Sequence, residues 1–259
     1  VSNLDAPLFP RSLIRERDPG LSAAPEQDGA IGGLADCVRH DRWRSALDGE
    51  SPLTPAATRT GYDRLKRFVD LVIALIVIVA LLPLFPLIAL LIVTTSPGPA
   101  IYRQRRLGHR GNYFWCYKFR TMVADAEEQL KRHAALAAQF QHNFKIKNDP
   151  RVTRLGALLR KTSLDELPQL FNVLRGEISL IGPRPIVEEE REKYGDYCPK
   201  LLSVKPGVSG MWQVYGRSDT TYDQRIAMDM SYIDNRSLWL DFKLISLTVY
   251  VVLRGRGAY

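Results

Sequence analysis

The feature that most narrows what this chain can fold into is the stretch from Leu71 to Val93, LVIALIVIVALLPLFPLIALLIV, 23 consecutive residues without a charge. As one helix at ~1.5 Å per residue it would reach roughly 35 Å, against a hydrocarbon core of ~30 Å. That length and purity predict a membrane-embedded element rather than the core helix of a soluble domain. Pro83 and Pro86 stand near its midpoint. Neither can donate to the carbonyl four residues back, at Val79 and Leu82, so the bend is expected at Pro83 and Pro86. Arg64, Lys66 and Arg67 precede the run, and Arg103, Arg105, Arg106 and Arg110 follow it. A spanning helix usually carries its Lys/Arg excess on the cytoplasmic side only. Basic residues at both ends suit a helix that enters, bends and leaves by one face, yet a kinked span tolerates proline as well. On charge alone both topologies stay open.

The charge is unevenly placed. The whole chain has 36 Lys and Arg against 28 Asp and Glu, but residues 1–60 have 7 against 9, so the positive excess lies beyond residue 60. An anionic partner is therefore to be sought there. Residues 1–60 read as a flexible Pro-rich tail, broken by Pro7, Pro10, Pro19, Pro25, Pro52 and Pro55, with room for one short helix near Leu34 to Leu47. The tail has no signal-peptide run. Cys37, Cys116 and Cys198 form neither a disulfide framework nor a zinc spacing, which fits a reducing, cytosolic setting.

After the apolar run, short β pieces are expected near Ile101 to Arg103 and Tyr113 to Phe119, in a region with six basic residues and no acid between Ala100 and Arg120. Helices are expected from Ala124 to Phe140, with early acids and late bases, and from Arg154 to about Leu174. The last apolar segment, Ser237 to Leu253, fits an interfacial helix or equally a core helix.

Several chemical signatures are missing, among them the P-loop, the dinucleotide fingerprint, HExxH, GxSxG and Asp-x-Asp. The four histidines form no ligand set. What remains is basic residues with a few carboxylates, the apparatus of phosphate chemistry. In KTSLDELPQLFNVLRGE, Ser163 and Glu166 match a capping box with Pro168 in the first turn. That alone explains the motif structurally. It also places Asp165 where a helix N-terminus favours the ionised carboxylate, available as a nucleophile, with Glu166 free to hold a magnesium ion on the same phosphate. Lys118 and Arg120 in YKFRTM, Arg184 in GPRP and Arg217 in GVSGMWQVYGR are candidates to hold a diphosphate. Arg103, Arg105 and Arg106 read instead as a surface toward anionic lipid. No helix-turn-helix, RNP or zinc-finger pattern supports nucleic-acid binding.

Five blocks in order carry a resemblance: KRFVDLVIALIVIVALLP, YRQRRLGHRGNYFWCYKFRTM, NDPRVTRLGALLRKTSLDELPQLFNVLRGEISLIGPRP, KPGVSGMWQVYGR and VVLRGRGAY. From about Lys66 to Tyr259 the chain resembles the bacterial sugar transferases, the monotopic polyprenyl-phosphate phosphoglycosyl transferases, especially the exopolysaccharide-initiating members. The resemblance implies an α+β, mostly helical fold with a re-entrant membrane helix-hairpin over residues 61–98. A small cytosolic catalytic domain with interfacial helices would follow over residues 99–259, at the cytoplasmic face of a bacterial inner membrane. It implies catalysis by Asp165 and Glu166. Asp165 would attack a UDP-hexose and release UMP, undecaprenyl phosphate would accept the hexose 1-phosphate, and Glu166 would hold Mg2+. Lys118, Arg120, Arg184 and Arg217 would bind phosphates, with membrane lipid and a second copy of the chain as further partners. Many members have Ser-Pro at the hairpin bend, where this chain has Leu82-Pro83, so what stabilises the bend is an open question. The alternative function is a non-enzymatic membrane adaptor with a basic lipid-binding face.

Overall fold

The apolar run becomes two helices, α1 (Thr60–Ala80) and α2 (Leu84–Thr95), bent by 63° at the break between them. The computed structural model describes residues 59–132, 146, 149–216 and 220–254. Among these no single helix is long and apolar enough to cross a membrane, and only the bent pair passes that test together. The break occurs at Pro83. The Val79 carbonyl, which Pro83 cannot reach, accepts from the Leu82 N–H at 3.3 Å, while Leu81 N–H donates to Val77 and Leu84 N–H to Leu81. Backbone donors thus close the turn at Leu82-Pro83, the point that the sequence leaves open. Pro86 does not share in the break. It is the third residue of α2, where a missing N–H removes no intrahelical bond.

The outer side of the pair is apolar and open, with Phe68, Leu75, Ile76, Val79, Leu87 and Leu90 all more than half exposed. The inner side is packed. Ala74 and Ile78 lie against Phe114, Cys116, Leu170, Val173 and Ile178. Ile88 and Ile92 lie against Phe119 and Leu159.

Polar groups lock the first half of α1 to the rest of the molecule. Asp70, 3% exposed, accepts from the Ser179 hydroxyl at 2.7 Å, and Lys66 pairs with Asp241 at 3.1 Å. Asp241 also accepts from the Tyr62 and Tyr232 hydroxyls, each at 2.7 Å. Arg67 donates to the Val173 and Leu174 carbonyls, and Arg59 to the Arg236 carbonyl. From sequence alone Lys66 and Arg67 form a basic flank at the membrane. They are bound to protein instead, because exposed helix ends and buried carboxylates nearby need donors.

Strands β1 (Ile101–Leu107) and β2 (Tyr113–Phe119) pair antiparallel, with Arg105 opposite Trp115 and Arg106 opposite Phe114. Alternation separates the three arginines that the sequence reading grouped. Arg103 and Arg105 lie over Trp115 and Tyr113 on the open face. Arg106 points inward, donates to the Pro185 carbonyl at 2.8 Å and pairs with Glu190 at 3.5 Å.

The helix expected from Arg154 to Leu174 is three pieces. Helix α4 (Arg154–Lys161) follows α3 (Ala126–Arg132), is capped by the Thr153 hydroxyl and stops at Thr162. A 3₁₀ turn, Leu164–Glu166, and helix α5 (Gln169–Arg175) come next. Between them Ser163 takes a left-handed conformation at φ 56° and caps nothing, so the expected capping box does not form.

Strand β3 (Ser179–Ile181) pairs parallel with β4 (Gly207–Ser209). Between them run α6 (Arg191–Tyr194) and α7 (Cys198–Leu202). After β4 come α8 (Met211–Tyr215), α9 (Tyr222–Asn235) and α10 (Leu238–Arg254). Ile181, Ile186, Trp212, Ile233, Leu240 and Leu244 share the largest core. α10 answers the interface-or-core alternative by being one-sided: Leu240, Asp241 and Leu244 are buried, while Trp239 and Leu253 are 74% and 81% exposed. The architecture is mostly helical with two small sheets. Residues 1–58 of the expected tail with its short helix, residues 133–140 of the expected Ala124 to Phe140 helix, Arg217 and residues 255–259 lie outside the described residues, whereas Arg59 and Thr60 belong to the start of α1.

Candidate active site

The turn that carries Asp165 and Glu166 is held from three sides. Below it, Leu164 and Leu167 pack with α2 residues Ile88 and Ile92 and with Phe119 of β2. Beside it, fully buried Asn172 of α5 donates to the Trp115 carbonyl at 2.7 Å and accepts from the Tyr117 N–H at 3.2 Å. This cross-link fixes α5 against β2, so the next inward residue of the strand, Lys118, meets Glu166. Lys118 Nζ stands 2.6 Å from Glu166 Oε1. From the third side, the loop after β3 brings Arg184 Nη1 to 3.4 Å from the same oxygen. Two fixed cations on Oε1 leave Glu166 Oε2 without a hydrogen bond among the described residues.

The two carboxyls are pushed apart in acidity. Burial opposes the Glu166 charge, but the Lys118 ammonium and the Arg184 guanidinium outweigh it and bring the carboxyl down to about 2. Asp165, 8% exposed, goes the other way: burial and then the neighbouring Glu166 charge raise it to about 6, against the opposing pull of Lys118, Arg160 and Arg184. From sequence alone a helix N-terminus is expected to favour the Asp165 anion. The turn is a 3₁₀ segment of three residues, and burial dominates. Asp165 accepts no hydrogen bond among the described residues, so its oxygens are free to form a new bond while remaining largely ionised at neutral pH.

Of the phosphate-binding candidates, Lys118 and Arg184 therefore gather at the acidic pair. Arg120 does not. It is 8% exposed and donates to the carbonyls of Ser96 at 2.7 Å, Gly98 at 3.2 Å and Pro97, closing the loop after α2. Two residues that the sequence reading missed belong here. Arg160, in the last turn of α4, contributes positive charge at Asp165 and donates to the Thr121 hydroxyl at 3.0 Å. Asn172 is visible only as an amide set between apolar neighbours in QLFNVLR, where Gln169 is a second amide.

A model of the family described as bacterial sugar transferase matches residues 61–255. The chain belongs to that family. Within this family, an undecaprenyl-phosphate galactose phosphotransferase of Salmonella typhimurium is 52% identical over 64% of this chain and 36% of its own length. A UDP-glucose:undecaprenyl-phosphate glucose-1-phosphate transferase of Escherichia coli K12 is 37% identical over 77% of this chain and 42% of its own length. The exopolysaccharide production protein ExoY of Rhizobium meliloti is 42% identical over 75% of this chain and 88% of its own length. The chain thus spans well under half of the first two relatives. Every residue gathered at the acidic pair lies within the family match.

Proposed function

We propose that this bacterial sugar transferase moves hexose 1-phosphate from a UDP-hexose to undecaprenyl phosphate, initiating exopolysaccharide synthesis. The observation that carries the reading is the divided acidic pair: Asp165 is unbonded and ionisable near neutrality, while Glu166 is held as a permanent anion by Lys118 and Arg184. An Asp165 oxygen attacks the β-phosphorus, forming a carboxyl-phosphate bond as the bond to the bridging oxygen breaks and UMP departs with that electron pair. An oxygen of undecaprenyl phosphate then attacks the same phosphorus, and the Asp165 carboxylate leaves intact. No net proton is needed. Lys118 and Arg184 orient the diphosphate and take up its charge, and Arg217 is proposed to join them from the connection after α8.

Magnesium fits the donor set. Hard divalent ions of this kind take one or two carboxylates and complete their shell with water and substrate phosphate, and Glu166 keeps Oε2 available. Bound there, the ion supplies neutralisation of diphosphate charge. The exposed apolar side of α1 and α2 and the exposed face of α10 support a hairpin entering and leaving the cytoplasmic leaflet of the inner membrane, with α10 at its surface. Relatives named for galactose and for glucose leave both hexoses as candidates.

The adaptor reading has one observation in its favour, the open row of Arg103 over Trp115 and Arg105 over Tyr113. One assay separates the two. The purified membrane protein, given undecaprenyl phosphate, magnesium and a panel of UDP-sugars, is expected to release UMP with at least one hexose. Intact-mass analysis without acceptor should show an adduct of one hexose phosphate, absent in Asp165→Asn. Release of UMP by the Asp165→Asn protein at the wild-type rate would refute the mechanism, and no release from any UDP-sugar would favour the adaptor.

A further inference from the structure

Beyond Arg184, against the same Trp212 ring, stands a second guanidinium that the chemistry above does not use. Arg225 of α9 is 9% exposed, and its Nε is sealed without an acceptor. No hydrogen bond or ion pair from Arg225 is made within the described residues. Its contacts are with aromatic rings, 4.6 Å from the Trp212 centroid and 5.7 Å from that of Tyr222. The Arg184 guanidinium lies against the same Trp212 ring, at 5.9 Å. Two cations thus share one indole.

This arrangement is costly as it stands. Burial, and then the Arg184 charge, work against the Arg225 cation. Neither nearby carboxylate bonds Arg225, although Asp229 Oδ1 is itself buried without a partner. Glu190 pairs with Arg106 and accepts from the Val187 N–H, and Asp229 accepts from the Tyr194 hydroxyl through Oδ2. Burial raises Asp229 to about 7, so it is a weak counter-charge near neutrality. A buried guanidinium with unanswered donors beside a second cation is a site for an oxyanion.

Position decides which oxyanion. The Asp165 turn packs directly on α2, so a lipid-borne phosphate reaches the nucleophile from the hairpin side. Arg184 touches the acidic pair and Trp212, and Arg225 continues that line into α9, in the core formed by Ile226, Ile233 and Leu240. We propose that Arg225 binds the phosphate that departs with the nucleotide, the α-phosphate of the nucleoside diphosphate sugar, while Arg184 attends the phosphate under attack. The inference rests on the transferase reading and adds to it where the donor lies.

The test pairs binding with turnover, using UMP as the probe. Titration calorimetry of UMP into full-length Arg225→Met should show affinity reduced by roughly 10- to 100-fold, the worth of a charge-assisted bond. Arg225→Lys should recover part of that loss. In turnover, KM for the UDP-hexose should rise by a similar factor in Arg225→Met, with kcat and the KM for undecaprenyl phosphate within about threefold of wild type. Unchanged UMP affinity in a variant that unfolds at a lower temperature would overturn the proposal and make Arg225 a packing residue. A rise confined to the KM for the lipid phosphate would overturn it too. If wild type binds UMP, Arg225→Met does not, and neither transfers sugar, the site stands and the transferase reading falls.

Discussion

Two groups of basic residues occupy this molecule and look alike in the sequence. At the foot of the hairpin, Arg59, Arg67 and Arg120 have donors engaged by main-chain carbonyls, and Lys66 is closed in by Asp70 and Asp241. Around the acidic turn, Lys118 and Arg184 share one carboxylate oxygen, and Arg225 meets no acceptor among the described residues. The first group answers orphaned helix-end carbonyls and buried acids, which is work of stability. The second keeps donors in hand for an anion brought from outside. Counting charge along the chain cannot separate them, whereas the acceptors each side chain meets do, even though Arg120 Nε is itself left without one.

The sharpest way to break this contrast is Asp165→Asn. Transfer should fall by on the order of 10⁴-fold or more, as for loss of a covalent nucleophile. Thermal stability should hold or rise, because an amide spares the turn a buried charge beside Glu166. A stability loss without loss of transfer would place Asp165 in the first group.

The reverse outcome is expected at the anchor. Asp241→Ala leaves Lys66 buried without its nearer partner and strips an acceptor from Tyr62 and Tyr232. The cost should be about 3–5 kcal/mol of unfolding free energy in denaturant titration. UMP affinity of the molecules that remain folded should stay at the wild-type value. Weakened nucleotide binding with unchanged stability would erase the distinction.

Legibility in the sequence followed the same divide. The bent helix pair and the two short strands were readable, because an uncharged run broken by proline and β-like pieces around a turn-rich stretch are local patterns. Arg120 was misread, since nothing in YKFRTM reports that the preceding loop presents three carbonyls to that side chain. The helix across Arg154 to Leu174 was misread because a periodic apolar pattern does not announce a left-handed residue at Ser163. Arg225 was invisible for a different reason. Residues Arg225 to Met230 are all buried, so α9 has no polar face there from which burial could be inferred.

A third test grades the site. Lys118→Met removes the nearer cation from Glu166, leaving Arg184, and should lower transfer by roughly 10- to 100-fold. It should also move the pH profile. With Asp165 at about 6, kcat/KM in wild type should rise through an apparent pKa near that value and level above it. Lys118 favours the Asp165 anion, so its loss should shift that limb upward. The stability sign is opposite to the activity sign. Between the ordinary carboxylate range and about 6 the folded chain holds a proton at Asp165 that the unfolded chain has released, so this group's contribution declines as pH rises through that window. In Asp165→Asn that part of the decline should vanish.

The smallest effect concerns Ser163, whose left-handed backbone turns α4 into the acidic segment. A non-glycine residue there costs about 1 kcal/mol, and the hydroxyl makes no capping bond in return. Ser163→Gly relieves the strain but loosens the unfolded chain, so the net gain should not exceed about 1 kcal/mol, with transfer within about threefold. Ser163→Val, β-branched at a positive φ, should lose both stability and transfer. The pair of variants discriminates because the turn belongs to both regions, resting on α2 through Leu164 and Leu167 while presenting Glu166 to Lys118. If the valine protein were stable yet inactive, the strain would serve only to aim the carboxylates. If it were unstable yet fully active when folded, the turn would be a joint of the hairpin, and Lys118 and Arg184 alone would set the geometry of Glu166.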